Sequence, residues 1–140
     1  MRFPWHSVRP EEAAAPPSAC YRSESVAKSK VVPGVRFTIA KMSFERRTEL
    51  MREIRELARR AEFLTASGDT GEKMDAALLQ REIELAYVRW GLRAVAGLTV
   101  NGRVADPAIL AEEGPEELFR EALDAVRRET GLSEEDRKNY

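Results

Sequence analysis

The stretch FERRTELMREIRELARRAEFL, residues 44–64, decides the fold class of this 140-residue chain. Leu50, Ile54, Leu57, Ala61 and Leu64 recur at spacings of 4, 3, 4 and 3, which places them on one stripe of a helix. Ser43 stands just before the pattern and offers an N-cap hydroxyl. At 1.5 Å per residue such a helix runs on the order of 32 Å. The opposite face carries Glu49, Arg52, Glu56, Arg59 and Arg60. The pairs Arg52–Glu56 and Glu56–Arg60 lie one turn apart and each add about 0.3 kcal/mol.

Downstream, SGDTGE at 67–72 reads as a loop, and a second helix is expected from Lys73 to Val95. It shows two apolar stripes, one through Leu78, Leu85, Val88, Leu92 and Val95, the other through Leu79, Ile83, Ala86 and Trp90. A helix apolar on two sides is normally packed on two sides, so this one belongs at the centre of the core, with Trp90 in a buried stripe. Gly91 inside the pattern marks a close crossing or an early end. The first helix holds its apolar repeat for only about three heptads. The two helices therefore read as an antiparallel hairpin within one chain.

Upstream, Pro33-Gly34 is a turn signal, and Val35, Phe37 and Ile39 alternate with Arg36, Thr38 and Lys41 beyond, a short half-buried strand. After the second helix, Leu98 and Val100 precede Asn101-Gly102 and Val104, the pattern of a tight β-hairpin. Asp106 and Pro107 open a short helix that Gly114 ends. The last substantial helix, PEELFREALDAVRRET, buries Leu118, Phe119, Ala122, Leu123 and Val126, with Glu116 and Glu117 in its first turn and Arg127 and Arg128 near its last. Gly131 and Leu132 read as its C-terminal cap, and SEEDRKNY as a fraying end. The fold class is mainly α: a long helical hairpin plus a C-terminal helix, with a short N-terminal strand and a small β-hairpin.

Residues 1–30 hold four of the seven prolines and no apolar periodicity. They are expected to form a disordered extension before a single helical domain at 31–140, and removing them should leave stability nearly unchanged. Glu11, Glu12 and the break at Pro16-Pro17 argue against a secretory or transit signal. No uninterrupted apolar run approaches the roughly 18 residues that a membrane helix needs.

Twenty-three Lys and Arg against 24 Asp and Glu leave a net charge of −1, unlike a generic polyanion binder. The charge is uneven. Residues 31–66 carry eight basic against five acidic side chains, and residues 97–140 carry six against eleven. Arg46, Arg47, Arg52, Arg55, Arg59 and Arg60 could form a nucleic-acid face, but glutamates interleave them and no aromatic platform accompanies them. A solvated helix face is the stronger reading.

No sequence pattern points to catalysis. The one cysteine, Cys20, and the one histidine, His6, both precede the folded part, and no Gly-rich phosphate loop is present. Glu112, Glu113, Glu116 and Glu117 form the densest acidic cluster, which an acidic helix start explains without a metal. The expectation is a non-enzymatic protein with no cofactor and no metal.

Several features recur in one order. Phe44 to Leu64 leads to YVRWGL (87–92), GLTVNG (97–102), GPEEL (114–118) and a closing GLSEEDRKN (131–139). This arrangement resembles the small tail assembly chaperones of tailed phages and prophages. The resemblance implies a cytoplasmic protein of the bacterial host that coats the tape measure protein and helps recruit tail tube subunits. For partner contact, the helical stripe Leu50, Ile54, Leu57 and Ala61 offers an amphipathic surface. The alternative is a small nucleic-acid-associated regulator using the Arg-rich first helix.

Overall fold

The computed structural model describes residues 18–66 and 70–131. Its elements in chain order are β1 (Glu24–Lys28), β2 (Arg36–Ala40), α1 (Phe44–Ala66), α2 (Thr70–Gly91), β3 (Leu92–Ala96), β4 (Thr99–Val100), β5 (Arg103–Val104), α3 (Pro107–Glu113) and α4 (Glu116–Thr130). Helices dominate, so the chain is mainly α. The helix read from the Phe44–Leu64 stripe is present as α1, and α2 packs back along it as an antiparallel hairpin. Thr70 to Glu72, expected in a loop, already belong to α2, while residues 67–69 lie outside the described residues.

The core gathers on one side of that hairpin. Leu50 and Ile54 of α1 and Ile83, Ala86, Tyr87 and Val88 of α2 are buried in one cluster with Val35, Phe37 and Ile39. Leu118, Ala122, Leu123 and Val126 close it from α4, whose burial pattern matches the expected stripe, although Phe119 is only half-buried. Asp106 caps α3 by accepting from the Ile109 amide at 2.8 Å, and Gly131 ends α4 in the left-handed conformation. Leu132 and the SEEDRKNY end lie outside the described residues. Asn101 and Gly102 take positive φ in the β4–β5 turn, as the dipeptide predicts.

Two expectations need correction. The second helix does not reach Val95: it stops at Gly91, and Leu92–Ala96 is a strand. Leu92 and Val95 are three apart, a helical spacing, yet they face the core from β3 opposite Ile39 and Phe37, which are two apart. A register irregularity between Thr38 and Ile39 absorbs the extra residue. A bulged strand thus imitates the helical period. Gly91 is required by the close crossing, because a Cβ there would meet Val126 Cγ1 at 2.5 Å, and α2 ends at the same residue.

The second correction concerns residues 1–30, expected as a disordered extension. Residues 1–17 lie outside the described residues, but Glu24–Lys28 form β1, paired antiparallel along β2 from Glu24↔Ala40 to Lys28↔Arg36. The sheet order is β1-β2-β3. β1 escapes a reading by hydrophobicity because its core-facing residues, Ser25 and Ala27, are small.

A polar clamp fixes the turn after β1 onto α4. The Ser29 hydroxyl donates to one oxygen of Glu121, and the Lys30 and Val31 amides donate to the other at 2.6 and 3.4 Å. Burial alone would raise the Glu121 pKa, but the donors from Ser29, Lys30 and Val31 and the Lys30 charge outweigh it and hold the carboxyl below its ordinary value. A depressed carboxyl adds stability above its unfolded pKa, and that stability is lost as pH falls through the folded one. Glu121→Gln is expected to cost about 2 kcal/mol at pH 7. The gap between variant and wild type should shrink as pH falls below 4.5, measured by urea unfolding at a series of pH values.

Candidate partner-binding surface

The four proposed contact residues do not share a surface. Leu50 is fully buried and Ile54 is 1% exposed, so both are core, facing α2 and the sheet. Leu57 is half-buried against the same cluster. Ala61 lies farther along α1, in an open groove of about 670 Å³ that it shares with Glu62, Ala66, Lys73, Ala76, Ala77 and Gln80. The physical reason is simple. One amphipathic stripe can be buried once, and the fold spends this one on α2.

The apolar surface left over lies on α2. At 100° per residue Met74, Leu78 and Leu85 fall within roughly 40° of one another, well away from Leu79, Ile83 and Ala86 on the buried side. Met74 is 67% exposed and Leu78 63% exposed, while Leu85 is half-buried. Leu85 opens onto two adjoining hollows at the α2–α3 seam. The first, about 360 Å³, is lined by Leu85, Val88, Arg89, Pro107, Ala108, Ala111 and Glu112. The second, about 350 Å³, runs between Leu85, Ala111, Leu110, Gly114 and Phe119. An ion-pair network borders it: Arg120 to Glu84 at 3.1 Å and to Glu116 at 3.5 Å, and Arg81 to Glu116 at 3.6 Å.

In the sequence this surface is the leading part of the stripe through Leu78, Leu85, Val88, Leu92 and Val95. Its periodicity predicts burial along its whole length, which holds for Val88, Leu92 and Val95 but not for Leu78 and Leu85. In the structure Leu79, Ile83 and Ala86 are buried, and the Leu78–Leu85 line meets solvent and the α3 seam.

The arginines of α1 divide into two groups. The Arg46 guanidinium lies 4.1 Å from the centre of the half-buried Trp90 ring and donates to the Trp90 carbonyl at 3.5 Å. Partial burial, and then repulsion from Arg93, lower its pKa against an opposing pull from Glu49. Arg47 donates to the Thr130 carbonyl at 2.7 Å, covering the C-terminal end of α4. These two side chains hold the fold together. Arg52, Arg55, Arg59 and Arg60 remain exposed.

The acidic cluster is engaged as well. Glu113 pairs with Arg103 and accepts from Asn101, and Glu116 joins the Arg81–Arg120 network. Among the described residues no group of three or more His, Cys, Asp and Glu side chains is placed to hold a metal ion. Cys20 is exposed, and His6 lies outside the described residues. No helix among the described residues is long and apolar enough to cross a membrane. No protein-family model, no curated protein and no solved structure matches this chain.

Proposed function

We propose that this chain is a non-enzymatic tail assembly chaperone, acting in the bacterial host cytoplasm, that binds the tape measure protein and assists tail tube assembly. The observation that carries this reading is the unpartnered Met74–Leu78–Leu85 line on α2, which leads into the α2–α3 hollows. Met74, Leu78 and Leu85 at helical spacing match the apolar face of an amphipathic partner helix, and the charged rim formed by Arg81, Arg89, Glu112 and Glu116 can set its register. The order of motifs from Phe44 to Asn139 resembles that of tail assembly chaperones, and the near-zero net charge fits apolar capture better than phosphate binding. A long tape measure offers repeated sites, so weak single contacts add up along it.

The test is co-expression with the tape measure protein of the same tail module. The wild type should raise that partner's soluble fraction and co-elute with it by size exclusion, and the complex should survive an increase in salt. Leu78→Glu should leave unfolding within about 0.5 kcal/mol of wild type, because Leu78 is already exposed, yet weaken the complex at least about tenfold. An unchanged soluble fraction with no complex would sink the reading. A complex that dissolves steeply with salt, and is lost with Arg55 and Arg59 rather than with Leu78, would instead support the nucleic-acid alternative.

A further inference from the structure

The sheet ends at β1 with one edge unpaired among the described residues. Hydrogen bonds at both ends of the β1–β2 ladder fix which way its backbone points. The Ser29 amide donates to the Val35 carbonyl, and the Lys41 amide donates to the Ser23 carbonyl, each at 2.8 Å. Odd-numbered residues of β1 therefore face β2, and Glu24, Val26 and Lys28 turn their N–H and C=O groups outward. The same three residues carry the exposed side chains, in the order acid, apolar, base.

That order reads the same in reverse with the charges exchanged. We propose that β1 is a self-association edge, pairing antiparallel with β1 of a second copy about a two-fold axis at Val26. In this register Val26 faces Val26 of the second copy as a hydrogen-bonded pair, Glu24 faces its Lys28, and Lys28 faces its Glu24. Each of the three residues donates one and accepts one backbone hydrogen bond, and the two sheets become one six-stranded sheet. The interface is isologous, so every favourable pair occurs twice.

Charge complementarity argues for a second copy over a foreign strand. Within one chain Lys28 lies directly across from Arg36, a like-charge pair on the exposed face that lowers ladder stability. Glu24 has only Ala40 across from it. Pairing two copies inserts a glutamate beside each Lys28 and extends a row that runs Arg36, Lys28, Glu24, Ala40 across the joined sheet. A shift of one pair in either direction would break both Glu–Lys contacts, so the charges also set the register. This inference is independent of the chaperone reading and stands or falls without it.

The experiment is sedimentation of the full chain over a concentration series. The wild type should reach twice the 15.8 kDa mass of one chain. Val26→Pro removes an outward N–H that β2 does not use, so it should keep the fold and lose the dimer. Glu24→Lys and Lys28→Glu should each weaken dimerisation at least about tenfold, since two attractive pairs become two repulsive ones. The double variant Glu24→Lys/Lys28→Glu should restore it. If Val26→Pro does not fold, the charge variants decide alone. A wild type that stays at one chain mass, a dimer indifferent to Glu24→Lys and Lys28→Glu, or a double variant without rescue would overturn the proposal.

Discussion

Removing residues 1–30 is expected to lower the melting temperature by more than about ten degrees. The deletion takes away β1 and with it the ladder that covers one edge of β2, from Glu24↔Ala40 to Lys28↔Arg36. Phe37 and Ile39, both buried, lose their neighbours Ala27 and Ser25. The deletion also strips Glu121 of the Ser29 hydroxyl and the Lys30 amide, leaving a partly buried carboxylate with only the long contact to the Val31 amide. Losing charged hydrogen bonds of this kind costs about 2 kcal/mol, and uncovering the strand brings the sum to roughly 3–5 kcal/mol. For a domain of this size each kcal/mol is worth about 3–4 degrees. The check is calorimetry of the full and shortened chains at matched concentration, because self-association would make the melting temperature depend on it. A shortened chain melting within two or three degrees of the full one would mean that neither β1 nor the Glu121 clamp contributes to stability.

The sequence carried the helices better than the sheet, and the reasons are local. The long stripe of α1, the Asp106-Pro107 start of α3 and the dipole-matched ends of α4 each announce themselves within one turn, where neighbours in sequence are neighbours in space. Two of the three strands in the β1-β2-β3 sheet depend on distant partners instead. β1 holds only Val26 and Ala27 as apolar residues and is anchored by a carboxylate more than ninety positions away. β3 carries a bulge that turns a period of two into a spacing of three, so Leu92 and Val95 continue the helical spacing of Val88. Only Gly91 broke that pattern, and it was ambiguous by sequence alone.

The candidate surface was half legible for a related reason. Hydrophobic spacing identifies a stripe but does not say whether the fold or a partner will cover it. Leu50 and Ile54 satisfy the amphipathic-groove pattern as well as Leu78 and Leu85 do. What separates them is that α1 has one apolar stripe and α2 has two. A hairpin covers one stripe from each helix, and the rest of the core covers the C-terminal part of the other stripe at Val88, Leu92 and Val95, which leaves Leu78 exposed. Which part of that stripe stays open depends on where α3, α4 and the sheet pack, and periodicity does not say this.

Gly97→Val is expected to be among the most damaging single substitutions in the chain, at roughly 3 kcal/mol or more. Gly97 follows β3 with φ of +80°, and a Cβ there would sit 2.2 Å from the Gly34 carbonyl oxygen and 3.4 Å from Val35 Cα. Positive φ alone strains any side-chain-bearing residue by about 1 kcal/mol, and more for a β-branched one. The contact adds to this because it is with backbone that is held from several directions. Val35 is buried, its amide donates to the Val32 carbonyl, its carbonyl accepts from the Ser29 amide, and Glu121 of α4 in turn holds Ser29 and Lys30. The turn cannot retreat without loosening β2 from the core. Gly102→Ala separates the two contributions, since Gly102 has φ of +78° but no atom within 4 Å of an added Cβ. It should lose only the strain, about 1 kcal/mol, whereas Gly97→Ala should lose about 3 kcal/mol. Urea unfolding of the two alanine variants measures the difference directly. Equal losses would show that the 33–35 segment yields at little cost, and that the approach of β3 to this turn is not what requires glycine at 97.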